Sequence, residues 1–290
     1  MKIACIIHSG VVRYTAANGF NEHLDLLPYL RERGIDIEQQ IWDDPNVDWA
    51  AYDVALLKTP WDYHQKIDAF RSWLDRLESL GVRLLNDYAT VRWNMDKRYL
   101  KDVAAAGFDV IPSVFLDKGW KGDLAGLFDE LRADSIIVKP CVSGGSKNTV
   151  AVQLGDVAKA RDEVVDMVSK GDYIVRPLMK EVREGEWSHI FFNGAHSHTI
   201  LKKPAAGDFR VQQAFGGTIE PLVPTRNQVA DAAAYVQHFA KDTLYARVDG
   251  LMVKGKFMLM ELELIEPFLY LSYEENAVEN YYRALVERTR

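Results

Sequence analysis

Cysteine is nearly absent: of 290 residues only Cys5 and Cys141 are cysteines, each beside apolar or strand-like sequence. Two isolated cysteines supply neither a disulfide framework nor zinc-ligand spacing, which points to the reducing cytoplasm. Long apolar runs are missing too, and none approaches the length that spans a bilayer. The stretch Met1–His8 carries one charge and an apolar run too short for a signal peptide, so it reads as a buried first strand. Nor is there a basic excess: 42 acidic residues outnumber 35 basic ones, for a formal net charge of −7. A nucleic-acid binder with a broad basic surface is therefore disfavoured, although local Lys and Arg can still hold anionic small molecules. No G-x-G-x-x-G follows the first strand, no P-loop pattern occurs, and the G-x-S-x-G of serine hydrolases is absent. No internal repeat or low-complexity segment is found.

What is present is ordinary soluble-protein composition, 48% hydrophobic and 27% charged, in a chain long enough for two or three subdomains sharing a cleft. Residues 1–85 alternate strand and helix patterns: strands at Ile3–Ile7, Ile37–Trp42, Val54–Leu57 and Val82–Leu85, with helices at Leu24–Arg33 and Phe70–Leu80. That order predicts parallel βαβ units whose ligand contacts gather at the C-terminal strand ends. There stand His8, Ser9, Gly10 and Arg13, and the segment Lys58–Tyr63 with Trp61 and Asp62; Trp61 and Tyr63 serve equally well as interdomain packing. Thr90–Ala106 reads as one helix ended by Gly107, followed by strands at Val110–Phe115, Ile136–Lys139, Val150–Val152 and Tyr173–Val175, with a helix at Val157–Val168. Ser188–Phe192 and His198–Lys202 form a hairpin around Asn193-Gly194. Asn227–Tyr245 and Asn276–Arg290 read as helices, and Val248–Val253 with Lys256–Leu264 as a second hairpin. The fold class is an α/β front followed by α+β material.

The second hairpin carries the densest chemistry. Pairing symmetric about Gly255 sets Asp249 opposite Glu261, with opposed Cβ atoms roughly 4.5–5.5 Å apart. Glu263, two residues on, shares that face, while Met260, Leu262 and Leu264 take the other. Three carboxylates on one face repel unless a cation joins them, and hard oxygen ligands suit Mg²⁺ completed by water and phosphate oxygens. Taken alone, a solvated acidic strand face explains them as well. The strand ending in Lys139, with its loop Pro140–Ser146, sets an ammonium beside backbone N–H groups that can approach phosphate; an ordinary hairpin connection with a solvated lysine is the plain alternative. Lys97, Arg210 and Arg247 are further cations suited to a phosphate-rich ligand, each explicable singly as a surface ion pair. Arg247 stands two before Asp249, on the same strand face. His189, His196 and His198 offer imidazoles without a third spaced ligand, which favours structural roles, and Cys141 reads as packing.

Together these segments resemble the ATP-grasp superfamily, which includes D-alanine–D-alanine ligase, glutathione synthetase and the ribosomal-protein glutamate ligases. Ala246-Arg247-Val248-Asp249 followed by Glu261-Leu262-Glu263-Leu264-Ile265 is similar to the A-R-V-D and E-x-N-x-I signature. Gly207-Asp208-Phe209-Arg210 with Gly216-Gly217 resembles the G-D-F-R and G-G pair, and Asn94–Lys97 and Val138–Pro140 the two lysine motifs. The likeness covers roughly residues 86–270, with the motifs in family order. Over the whole chain it resembles a bacterial group related to glutathione synthetase and the cycloserine-pathway ligase, through Trp42-Asp43-Asp44, Trp61-Asp62-Tyr63 and Arg92-Trp93-Asn94.

The resemblance implies an ATP-grasp fold with a small parallel-sheet N-terminal domain (1–85), a central subdomain (86–175) and a C-terminal one (176–290) clasping ATP. It implies ATP and Mg²⁺, with Mn²⁺ as an alternative, and small-molecule carboxylate and nucleophile substrates, without nucleic acid or membrane; relatives allow a homo-oligomer. Lys97 and Lys139 would contact phosphates, and Ser143, Gly144, Gly145 and Ser146 would form the closing loop. Arg176, Leu178 and Met179 would line the adenine hinge, and Glu186, or else Glu181, would hold the ribose. Asp249, Glu261 and Glu263 would hold metal, while Arg210 and Arg247 would act in catalysis. Glu263 departs from the family's Asn, and Arg176 from its Gln or Glu. The implied reaction is an ADP-forming ligation through an acyl phosphate; the non-enzyme alternative is an ATP-binding or sensing module of the same fold.

Overall fold

The computed structural model describes residues 1–10, 22, 24–145, 147–212 and 215–290. Arg13 and Ser146 lie outside the described residues. Among the described residues the strands form three sheets. The first holds β1 (Ile3–Ile7), β2 (Ile37–Ile41), β3 (Val54–Thr59) and β4 (Arg83–Leu85). All its pairings are parallel, in the order β2-β1-β3-β4. Helices α1 (Leu26–Glu32) and α2 (Ile67–Ser79) make the crossovers. Strands β1 and β3 are nearly all apolar because both faces are covered, one by Leu26, Leu27 and Leu30 of α1, the other by Phe70, Trp73, Leu74 and Leu77 of α2.

The predicted helix over 90–106 is two helices, α3 (Tyr88–Asn94) and α4 (Tyr99–Ala105). At the break the Lys97 backbone N–H leaves the helical ladder for the Cys141 carbonyl at 2.9 Å. The Asp96 carboxylate accepts the Arg98 N–H at 2.9 Å. The break holds Lys97 against the loop that follows the second sheet's central strand. That sheet runs β5-β8-β6-β7, built from β5 (Val114–Leu116), β6 (Ser135–Pro140), β7 (Val150–Gln153) and β8 (Tyr173–Pro177). Helices α5 (Leu124–Leu131) and α6 (Val157–Lys170) cover one face. The strand expected at Val110–Phe115 begins only at Val114; Val110 instead makes a lone bridge to Leu259.

The third sheet is antiparallel, β11-β10-β9-β12-β13. It comprises β9 (Glu186–Phe192), β10 (Ala195–Lys203), β11 (Thr218–Leu222), β12 (Tyr245–Val253) and β13 (Lys256–Glu263), backed by α7 (Arg226–Phe239). The helix predicted to Tyr245 stops at Phe239, because Leu244 and Tyr245 are already buried at the start of β12. The closing helix α8 (Ala277–Thr289) packs with α1 and the first sheet, joining the two ends of the chain in one core.

Candidate active site

Strand register brings the acids together. Arg247, Val248 and Asp249 pair with Glu263, Leu262 and Glu261, whereas Gly250 to Val253 pair with Leu259 to Lys256. The turn is therefore the two residues Lys254 and Gly255, both at positive φ (51° and 80°), which suits the twist of a tight hairpin. Symmetry about Gly255 is not how the hairpin is built. A bulge at Met260 adds one residue to β13 and restores the Asp249–Glu261 pair. It also turns Met260 away from the apolar back face, contrary to the alternation expected. Met260 packs with Met179, Leu251 and Phe209 on the cleft side, while Leu262 and Leu264 stay in the core behind. Gly250 is required there, since a Cβ would lie 2.5 Å from the Met258 carbonyl oxygen.

Each carboxylate of the trio already has cationic company. Lys97 Nζ is 2.8 Å from Glu261 Oε1, and Lys139 Nζ is 3.4 Å from Glu261 Oε2. Asp249 accepts Arg247 Nε at 3.0 Å, Lys202 Nζ at 3.1 Å and the Ser188 hydroxyl at 2.6 Å. Arg247 also binds Glu263 and donates from Nη1 to the Phe268 carbonyl at 2.9 Å. Burial would raise the pKa of Asp249, but Arg247 and Lys202 hold it down at about 2. Burial acts on Glu261 in the same way, and Lys139 and Lys97 more than offset it, so its pKa is lowered. Burial pushes Lys139 down to about 8, against the pull of Glu261. Glu263 and Glu266 go the other way, up to about 7 and about 8, because burial dominates and neighbouring acids add to it.

These groups line a cavity of about 610 Å³ between the three sheets. Ser143, Gly144 and Gly145 border it, and Lys97 Nζ donates to the Ser143 carbonyl at 3.1 Å. Arg176, Leu178, Met179 and Glu186 also line it, as do His8 and Trp61–Gln65; Ser9, Lys58 and Glu181 are not among its walls. Lys58 is instead buried in an ion pair with Glu22, whose carboxylate also accepts the Leu269 N–H at 2.9 Å. Glu186 reaches the cavity but is held by Lys202 at 2.6 Å. Arg210 stands on the wall apart from the trio, 2.7 Å from Asp208 and stacked over Phe215. The three histidines do not converge on a metal: His189 and His196 share the Thr199 hydroxyl, and His198 bonds the Leu269 carbonyl.

Sequence reasoning missed Lys202, which is 5% exposed and lies between Glu186 and Asp249. Its signal was parity: a lysine inside an apolar strand, opposite Glu186 in register, faces the same side. Glu266, which the Tyr63 hydroxyl meets and whose carbonyl accepts the Trp61 indole N–H at 3.1 Å, carried no such signal.

Among the described residues no group of three acidic, histidine or cysteine side chains forms a metal cage by itself. The donor chemistry nevertheless fits Mg²⁺ held jointly with phosphate oxygens, since carboxylates and cations alternate around one opening. Bound phosphates would take over Lys97, Lys139 and Arg247, releasing carboxylate oxygens to a metal.

A family model described as "D-cycloserine synthetase DcsG, N-terminal domain" matches residues 10–86. Cycloserine biosynthesis protein DcsG of Streptomyces lavendulae is 31% identical over 288 residues, covering 91% of this chain and 93% of its own. The crystal structure of D-cycloserine synthetase DcsG superposes with a TM-score of 0.85 at 28% identity, over 100% of both chains. ATP-grasp ligase PsnB, complexed with a minimal precursor, superposes at 0.69 with 13% identity, over 100% of this chain and 99% of that one, a likeness of fold.

Proposed function

The chain belongs to the ATP-grasp ligases, in the group of the cycloserine-pathway synthetase, and we propose that it joins a small-molecule carboxylate to an amine or related nucleophile while converting ATP to ADP and phosphate. The observation that carries this reading is the single cavity edge on which Glu261 meets both Lys97 and Lys139 while Asp249 meets Arg247 and Lys202. Triphosphate oxygens suit the cations, and the acids suit a divalent metal. When bound, Mg²⁺ (or Mn²⁺ in its place) would offset charge on the transferring phosphoryl group. Lys97, Lys139 and the Ser143–Gly145 backbone would hold the phosphates, with Asp249, Glu261 and Glu263 toward the metal. Leu178 and Met179 would flank the base, and Glu186 would approach the ribose once Lys202 turns to phosphate.

The substrate carboxylate would attack the γ-phosphate, forming a new O–P bond as the β–γ bridging bond breaks and ADP leaves. Arg247, fixed by Asp249 and the Phe268 carbonyl, supplies a preorganised donor to the acyl phosphate. Arg210 would join only after leaving Asp208. The nucleophile then displaces phosphate, which carries off the oxygen the acid lost, and the site must exclude water during that interval. His8 and Trp61–His64 line the side of the cavity toward the first sheet and would meet the acid or the nucleophile. Three units, 1–85, 86–175 and 176–290, would clasp the nucleotide, a division supported by the separate sheets. Two buried free thiols suit the reducing cytoplasm, and no helix among the described residues is long and apolar enough to cross a membrane.

The test is acid-dependent ADP release across a panel of amino acids and other small carboxylates, with hydroxylamine replacing the amine. Hydroxamate formed only with acid, ATP and Mg²⁺ together is the expected product of a trapped acyl phosphate. Tight ATP binding with no turnover on any acid would return the chain to a nucleotide-sensing module.

A further inference from the structure

The cavity has two chemically different ends. One holds the cations and acids. The other is a slot walled by Ile111, Val182 and Leu251, with Met179, Met260 and Phe209 packed beside them. A triphosphate cannot enter an apolar slot, whereas a flat heteroaromatic base can. Arg176 of β8, buried with 4% exposure, also lines the cavity and is bonded to the backbone of Met260 beside that slot.

Two of its nitrogens are committed. Nε donates to the Ser113 hydroxyl at 2.9 Å and Nη1 to the Met260 carbonyl at 2.7 Å, the carbonyl at the bulge. Among the described residues Nη2 has no hydrogen-bond partner, although it is shielded from solvent. A guanidinium only donates, so it offers nothing to an exocyclic amine and requires an acceptor. The fixed Nε and Nη1 bonds hold the plane still, which lowers the ordering cost of a third bond.

The base edge that meets Nη2 follows from what surrounds Arg176. Nη1 bonds the carbonyl of Met260, the residue before Glu261, and Arg176 pairs in register with Ile137, two residues before Lys139 on the same face of β6, so the guanidinium lies on the phosphate side of the slot. In an anti nucleotide the edge nearest its own 5′-phosphates is the imidazole edge, where a purine carries N7 as an acceptor. Pyrimidines have no such atom. Resting on the nucleotide reading above, we propose that Arg176 selects a purine by donating from Nη2 to N7, and that it is indifferent to the 6-amino group.

Isothermal titration of ATP and of 7-deaza-ATP, both with Mg²⁺, into the wild-type chain and Arg176→Met reads this contact without turnover. The 7-deaza nucleotide lacks N7 and keeps the amine and N1. The expected result is that the wild type binds it at least about tenfold more weakly than ATP, about 1.4 kcal/mol, while Arg176→Met binds the two equally. A wild-type difference below about tenfold, or the same difference in Arg176→Met, overturns the assignment. Should Arg176→Met fail to fold, the wild-type comparison decides alone, because it involves no substitution. Failure to bind ATP at all would instead strike the nucleotide reading.

Discussion

Asp249, 3% exposed, balances two buried cations, Arg247 and Lys202. Neutralising it therefore changes more than a proposed metal ligand. Asp249→Asn is expected to cost about 3 kcal/mol in stability, because a broken buried pair leaves charge without compensation. It should also lower turnover by at least about 100-fold, the scale of losing a preorganised electrostatic group. Urea unfolding and ADP release measure the two effects; a variant with wild-type stability would contradict the buried network. Glu266 supplies a pH dependence at the same scale. Its carboxyl is raised from 4.5 to about 8 on folding, burial being the main cause. The folded state thus binds more protons than the unfolded state between those values, and stability falls as pH rises through that window. The thermal midpoint of the ligand-free protein should decline from pH 5 to pH 8, and Glu266→Gln should flatten that decline. A midpoint that rises over this range in the wild type would refute it.

At the scale of elements, the hairpin β12–β13 shows how a correct pairing can arise from a different construction. Asp249 opposes Glu261, but through a two-residue turn plus a bulge rather than a three-residue turn. Periodicity cannot reveal a bulge, since Met260 is apolar and fits either face. Gly250 is the element's tightest point: a Cβ would approach Phe257 Cζ to 2.4 Å as well as the Met258 carbonyl. Gly250→Ala should destabilise by roughly 2 kcal/mol, typical of overpacking, and lower the melting temperature by about 5 °C. Turnover should drop although no polar group is removed, because the strands part beside Asp249. Unchanged melting and turnover would show that β13 yields freely. The split of the predicted 90–106 helix has a similar lesson. Asp96 accepts the Arg98 N–H from two residues away, but the partner of the Lys97 N–H is Cys141, far along the chain.

Across the whole molecule, the cleft belongs to no one sheet. Lys97 precedes α4, Lys139 ends β6, Lys202 lies on β10 and Glu261 on β13, and each reaches the cavity from a separate element. Because the acids are neutralised internally when the site holds no ligand, Mg²⁺ alone should bind weakly. Thermal shift should show little stabilisation by millimolar Mg²⁺, and about 2.7 kcal/mol once Mg²⁺ and ADP are supplied together at 100 times the dissociation constant. Stabilisation by Mg²⁺ alone equal to that with nucleotide would indicate a metal cage that the described residues do not form.

The sequence by itself determined the parallel front, the two hairpins and the acidic face opposite Leu262 and Leu264, because alternation and turn residues are local signals. It also carried the family's motifs in order. Only the tertiary structure decided that Glu261 pairs with both Lys97 and Lys139, that Lys202 lies between Glu186 and Asp249, and that Arg210 rests on Asp208. Those pairings join residues up to 164 positions apart for Lys97 and Glu261. Which charge meets which across such distances is set by how sheets and helices pack, and no spacing along the chain encodes it.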